Sequence, residues 1–127
     1  LAKNFLLIAA LSGFLAVALG AFGAHALKGK LPSDLMIVYQ TAVQYQFYHT
    51  LALLAVAMLL MKFPQQLPLI VSGSCFAVGL LLFSGSLYAL AFSGIRWLGA
   101  ITPLGGLAFM LGWLAMAWFG IKQANPI

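Results

Sequence analysis

The sequence predicts an all-α integral membrane four-helix bundle, a single domain over residues 1–127, whose second helix has an amphipathic, interfacial first half. Three observations carry this reading. The chain is 65% hydrophobic and 6% charged, against about a quarter charged in ordinary soluble domains. The stretch from Phe5 to Ala26, whose polar side chains are Ser12 and His25, is longer than the roughly 18 residues that mark a membrane span. Finally, the six basic residues, Lys3, Lys28, Lys30, Lys62, Arg96 and Lys122, lie at the ends of apolar runs, where membrane flanks carry them.

The spacing places the first helix at about 4–27. Lys3, the apolar stretch and Ala24-His25-Ala26 imitate a secretory signal with its cleavage site, but the stretch is far longer than a signal core of about 7–15 residues. It is read here as the first span. The connector Lys28-Gly29-Lys30-Leu31-Pro32 ends it, and Ser33 or Asp34 can cap the next helix, at about 34–61. Lys62 to Pro68 forms a turn with two prolines, which stop one helix and permit the first turn of another, at about 69–92. After Ser93 to Gly99, Thr102 is a suitable cap with Pro103 at the first helical position, and the fourth helix follows at about 103–122.

Small residues suggest how these helices meet. In the third helix Ser72, Cys75, Gly79, Ser86, Ala89 and Ser93 fall at alternating steps of three and four, interrupted at Leu82. The first helix repeats the device with Ala9, Gly13, Ala16, Gly20 and Ala24, and the fourth with Gly105, Ala108, Gly112 and Ala115. Such stripes let helix backbones approach closely. Gly13, Gly20, Gly79, Ser86, Gly105 and Gly112 are therefore the candidate packing residues; the same stripe could instead line a substrate passage in an oligomer. LSGFLAVAL from Leu11 echoes FSGSLYALA from Phe83, a similarity that a Leu/Ala/Gly-rich alphabet also produces by chance.

The most informative stretch is YQTAVQYQFYHT, Tyr39 to Thr50. A helix over 34–61 would be about 42 Å long against roughly 30 Å of hydrocarbon. On a helical wheel Gln40, Gln44, Tyr48, Thr41 and Tyr45 share one arc with His49 at its edge, while Met36, Val43, Phe47 and Leu51 share another. The early turns are accordingly expected in the headgroup region, with the span beginning near Gln46 and tyrosines as interface anchors. That placement puts His49 about one turn inside the membrane, at nearly the depth of His25 at the end of the first helix. The candidate ligand- or partner-binding residues are His25, Gln40, Gln44, Tyr45, Tyr48 and His49. They offer mostly neutral donors and acceptors beneath a basic connector.

Composition also weighs against several functions. The +5 charge is scattered rather than clustered, which is no footprint for nucleic acid. The only acidic residue, Asp34, sits in the connector or helix cap, whereas proton-coupled antiport normally uses a carboxylate within a span. No Ser-His-Asp or Cys-His arrangement supports nucleophilic catalysis. The single cysteine, Cys75, lies in an apolar run and reads as an inert thiol. Two histidines on adjacent helices could ligate haem or a metal, but no carboxylate partner accompanies them. A lipid or quinone headgroup site, or a membrane partner, suits the same residues. No cofactor is expected.

The segments GAFGAHALK from Gly20, YQTAVQYQFYHTLALL from Tyr39, GSLYAL from Gly85 and ITPLGGLAFMLGW from Ile101 resemble the small membrane family called domain of unknown function 423, related to transmembrane protein 256. The resemblance extends over nearly the whole chain, and it implies a four-helix protein of the bacterial inner membrane. The family's motifs include His25, Gln44, Tyr45, His49, Pro103, Gly105 and Gly106. No established activity comes with the resemblance. The expected protein is thus non-enzymatic, with a helix-two face that binds lipid headgroups, a small amphipathic ligand or a membrane partner; its expected partners are membrane lipids and a membrane protein or a homo-oligomer. A small oligomeric transporter or channel, and a haem- or metal-binding redox protein, are the alternatives. Four spans leave both termini on one side; the basic residues tie at three per side, and the termini are read as cytoplasmic.

Overall fold

In the computed structural model, which describes residues 1–124, four helices are each long and apolar enough to cross a membrane. They are α1, Ala2–Leu27; α2, Ser33–Lys62; α3, Leu67–Ser93; and α4, Thr102–Ala124, which a short 3₁₀ turn, Arg96–Ala100, precedes. The architecture is all-α, a membrane four-helix bundle. Its outer surface confirms the solvent it is built for: Phe14, Leu81 and Leu114 are 71%, 73% and 65% exposed, a surface that water would not tolerate at this density.

The helix ends follow local chemistry, with two departures from the sequence reading. Pro32, rather than Ser33 or Asp34, occupies the cap of α2, and no side chain caps that end. Asp34 instead pairs with Arg96 across 2.6 Å, tying the start of α2 to the turn before α4. Thr102 opens α4, but its hydroxyl lies 2.6 Å from Ser86 Oγ of α3. Gly94 ends α3 in the left-handed region, at φ 71°, with its N–H on the Leu90 carbonyl; glycine adopts that conformation without a Cβ penalty.

Helix α2 is the hub. Helices α1 and α3 pack along it, α4 packs on α3, and α1 barely meets α3. Helix α1 runs antiparallel to α2, so that Gly13 faces Thr50, Gly20 faces Val43 and Gly23 faces the Tyr39 ring. Between α3 and α4 the closest approach is at Gly105, where a Cβ would fall on the Phe83 backbone; Cβ atoms on Gly79 and Gly112 would collide with the Phe109 and Phe76 rings. At Gly79, Gly105 and Gly112 the small-residue stripes of α3 and α4 are therefore filled by aromatic rings and backbone, with no room for a methyl group. Gly13 and Gly20 are looser: a Cβ there would sit 3.6 and 3.5 Å from its neighbours, ordinary contact distances. Gly73, tight against Phe5, belongs with the packing residues, although the spacing of small residues did not single it out.

The third-helix stripe does not run straight. Leu80–Ser84 winds as a π-helical turn, which inserts one extra residue. Before it Leu69, Ser72, Phe76 and Gly79 are buried; Ser84 at its end, and Leu87 and Ala91 beyond it, are buried. Ser84 takes the inward place that unbroken spacing gives to Leu82, while Ala89 and Ser93 turn outward. The inward Ser84 hydroxyl donates to the Ala42 carbonyl of α2 at 2.9 Å.

The ends of the described chain share one face. Leu1 and Ala2 lie beside Leu60 and Pro64, and Lys122 Nζ reaches Gln66 Oε1 at 3.4 Å. The connector Lys28 to Pro32 and the Asp34–Arg96 pair lie at the other end.

Candidate functional site

The polar stretch of α2 is divided between two faces. One set points into the bundle: Tyr39, Ala42, Gln46, His49 and Thr50 are buried. The other points out, with Gln40, Gln44, Tyr45 and Tyr48 exposed. The spacing 39, 42, 46, 49, 53, 56 and 60 continues the inward set into Leu53, Val56 and Leu60, the steps of three and four that keep residues on one face of a helix.

Gln46 is the centre of the inward set. Its Nε2 donates to Ser12 O at 3.0 Å and more loosely to Ser12 Oγ at 3.3 Å, and its Oε1 accepts from the Tyr88 hydroxyl at 2.6 Å. Ser12 Oγ lies 2.7 Å from Thr50 Oγ1, and the Tyr39 hydroxyl donates to the Leu19 carbonyl. One amide thus fastens α1, α2 and α3 together. Among the described residues no buried side-chain nitrogen or oxygen lacks a partner, as hydrocarbon surroundings demand.

His49 has a second fixed environment. Nδ1 lies 2.9 Å from the Tyr45 carbonyl, which can only accept, so Nδ1 carries the proton. Nε2 is therefore the acceptor for the Trp113 indole N–H at 3.1 Å. The ring stacks on Phe109, with centroids 3.5 Å apart and planes 7° from parallel. This fixes the neutral Nδ1–H tautomer, and neither nitrogen is free to bind a metal or take a substrate proton without losing a partner.

Gln46, His49 and Thr50 lie at the middle of α2, level with Ser12 and Gly13 of α1, Phe76 and Gly79 of α3, and Phe109 and Trp113 of α4. Each of these positions is close to the midpoint of its own helix, so the layer lies at the middle of the bundle, and the earlier turns of α2 run from it towards the connector end. His25 and His49 are not neighbours. His25 is exposed on a π-helical turn, Gly23–Leu27, at the end of α1, twelve residues beyond the level of His49, or about 18 Å along the helix. Paired histidine ligation has no geometry here. Among the described residues no three His, Cys, Asp or Glu side chains are grouped to hold a metal ion.

On the outward side, Gln40 and Gln44 border a groove between α1 and α2. It is about 570 Å³ at the connector, where Lys28, Gly29, Ser33 and Ile37 line it, and it narrows to a section of about 230 Å³ beside Gly20, Val43 and Gln44. Gly23, Ala24, Met36 and Gln40 belong to both sections, so the two are continuous. His25 is not among the lining residues. Tyr45 stacks on Phe83 at 4.7 Å and meets Tyr48 edge-on at 5.7 Å, on the side of α2 away from this groove. The six candidate residues thus occupy four places: His25 at the end of α1, Gln40 and Gln44 on the groove, Tyr45 and Tyr48 on the outer aromatic edge, and His49 inside.

Sequence reasoning passed over Gln46, Ser12, Tyr88 and Trp113. For Gln46 a signal existed, since of the three glutamines it alone shares an arc with Tyr39, Leu53 and Val56. Its partners lie 34 and 42 residues away, beyond any local pattern.

Fold and site together define a polytopic membrane protein whose central helix carries an interhelical polar clamp on its inner face and borders an open groove on its outer one. The family model described as "Protein of unknown function (DUF423)" matches residues 19–106, and the chain belongs to that family. The UPF0382 membrane protein YwdK of Bacillus subtilis is 45% identical over 120 residues, covering 94% of this chain and 98% of its own. A UPF0382 membrane protein of Haemophilus influenzae is 43% identical over 123 residues, 97% of this chain and 98% of its own. The UPF0382 inner membrane protein YgdD of Escherichia coli is 44% identical over 111 residues, 87% and 84% of the two chains. No solved structure matches the chain.

Proposed function

We propose that this is a non-catalytic protein of the bacterial inner membrane that holds the polar end of an anionic amphipathic lipid in the α1–α2 groove. The observation that carries this reading is the groove itself. It opens beside Lys28 and Ser33 and narrows past Gln40, whose amide has no hydrogen-bond partner among the described residues. With the bundle centred in the bilayer, Gln40, about 11 Å along α2 from its middle, lies near the hydrocarbon boundary at about 15 Å, where its amide would meet lipid ester groups and Lys28 the phosphate. The small Gly20 and Ala24 on the α1 side of the groove leave space for a chain. The name of the Escherichia coli relative supports the inner membrane. The basic residues tie at three per side; the reading adopted puts the termini in the cytoplasm and opens the groove to the outer leaflet, which a C-terminal reporter fusion tests.

Native mass spectrometry of the full-length protein with phosphatidylglycerol and phosphatidylcholine tests the binding. Phosphatidylglycerol is expected to be retained preferentially. Lys28→Ala should weaken its retention about fivefold, the contribution of one basic residue at a membrane surface, and Gln40→Leu should weaken both lipids. Equal retention of the two lipids by wild type, or unchanged retention in both variants, refutes the proposal.

A further inference from the structure

We infer that the cleft between α1 and α3 is a binding site for an uncharged lipid alcohol, a single hydroxyl on a long hydrocarbon chain. Where α1 barely meets α3, a groove of about 440 Å³ opens, within the range of about 300–1,000 Å³ that small-molecule sites occupy. Leu11 and Leu15 line it on the α1 side and Leu80 and Leu81 on the α3 side, and Gln46 and Tyr88 give it a polar corner. It shares no lining residue with the α1–α2 groove. The two similar segments of the sequence border it from opposite sides, through Leu11 and Ser12 on α1 and Ser84 and Gly85 on α3.

Two features of α3 shape the space. The π-turn Leu80–Ser84, a device that recurs at functional sites, forms much of that side. Gly85 follows it with ordinary helical angles, φ −60° and ψ −45°, so its backbone does not require glycine, and glycine weakens a helix. Packing does not require it either, because a Cβ there would meet no atom within 4 Å. The volume that a side chain at 85 would take is left to the groove.

The lining selects the occupant. Among the described residues no Lys, Arg, Asp or Glu borders the groove, so a charged headgroup would enter it unpaired, at high cost. The Tyr88 hydroxyl donates its one proton to Gln46 Oε1 at 2.6 Å, and Gln46 Nε2 is engaged with Ser12 at 3.0 and 3.3 Å. A phenol oxygen also accepts, and among the described residues nothing donates to that of Tyr88. The corner therefore calls for a donor. An alcohol supplies one and leaves the Gln46 clamp intact, while its chain lies along Leu11, Leu15, Leu80 and Leu81. A ketone or quinone carbonyl brings only another acceptor to a corner whose Tyr88 and Gln46 donors are committed.

Native mass spectrometry of the full-length protein with geranylgeraniol, its methyl ether and its diphosphate tests the inference. Wild type should retain the alcohol, hold the ether about 3- to 30-fold more weakly, the range for one hydrogen bond in lipid, and reject the diphosphate. Tyr88→Phe should hold alcohol and ether alike, a loss of discrimination that a merely structural tyrosine would not produce. Gly85→Leu fills the groove and should lose the alcohol, while its unfolding in bicelles shows stability no lower than wild type, since leucine is the better helix former. Its retention of phosphatidylglycerol should equal that of wild type, which separates this site from the α1–α2 groove. Failure of wild type to retain the alcohol, equal retention of alcohol and ether, retention of the diphosphate as tight as that of the alcohol, or undiminished retention by Gly85→Leu overturns the inference. The comparison of the three probes on wild type stands even if Gly85→Leu fails to fold.

Discussion

Replacing Gln46 by leucine removes the junction of three helices while nearly conserving volume. The lost bonds are those at 3.0 and 3.3 Å to Ser12 and the one at 2.6 Å from Tyr88. They are not equivalent. Ser12 O remains an acceptor in the α1 ladder and Ser12 Oγ keeps Thr50, so those losses are limited to the bonds themselves, about 0.6–2 kcal/mol each at most in lipid. The Tyr88 hydroxyl loses its acceptor in hydrocarbon, a penalty of about 1–3 kcal/mol. The variant should therefore be destabilised by about 2–4 kcal/mol. Tyr88→Phe removes the orphan, so the double variant should be more stable than the sum of the single effects by about 1 kcal/mol. Reversible unfolding of the full-length protein in bicelles measures all three. A Gln46→Leu variant within about 0.5 kcal/mol of wild type, the range of an ordinary surface substitution, or strictly additive effects, would refute the clamp.

Two further outcomes follow from the packing. Gly105→Ala forces a Cβ against the Phe83 backbone, which cannot rotate away, and should cost about 1–3 kcal/mol; Gly13→Ala, 3.6 Å from a Thr50 methyl, should be within about 0.5 kcal/mol of wild type. Both are read by the same unfolding assay. Nitrogen NMR of His49 should show the neutral Nδ1–H tautomer, and Trp113→Phe should release that preference; a predominant Nε2–H form in wild type would contradict the hydrogen-bond assignment.

The fold class was legible because it depends on local quantities. Long apolar runs, separated by Lys28 to Pro32, by Pro64 and Pro68, and by Gly94, suffice for four spans whatever their partners. The partners of the α2 polar stretch were not. Judged alone, Gln44, Gln46 and His49 are too polar for hydrocarbon, and the economical solution is to move them to the interface. In the fold Ser12 and Tyr88 satisfy Gln46, and Tyr45 and Trp113 satisfy His49, so both are accommodated at the middle of the bundle. The spacing that links His49 to Trp113 is 64 residues and leaves no trace in either helix. The π-turn at Leu80–Ser84 was hidden for a different reason. The skip at Leu82 was visible as one irregular position in the stripe, but a single substitution and a one-residue insertion look alike until the inward face beyond it, Ser84, Leu87 and Ala91, is known. Among the glutamines, the outward pair Gln40 and Gln44 was legible from the wheel, and the inward one was not, because an arc shared with Leu53 and Val56 ordinarily argues against polarity.

The division of α2 into an inner clamp and an outer binding face is tested most directly by labelling. A photoactivatable phosphatidylglycerol, carried in bilayers with the full-length protein and followed by peptide mapping, reports where the lipid sits. Adducts concentrated between Gly20 and Gln44, lost on adding unlabelled phosphatidylglycerol and reduced in Lys28→Ala, are the predicted result. Adducts spread evenly over the lipid-facing residues of α1, α3 and α4, with no competition, would contradict it.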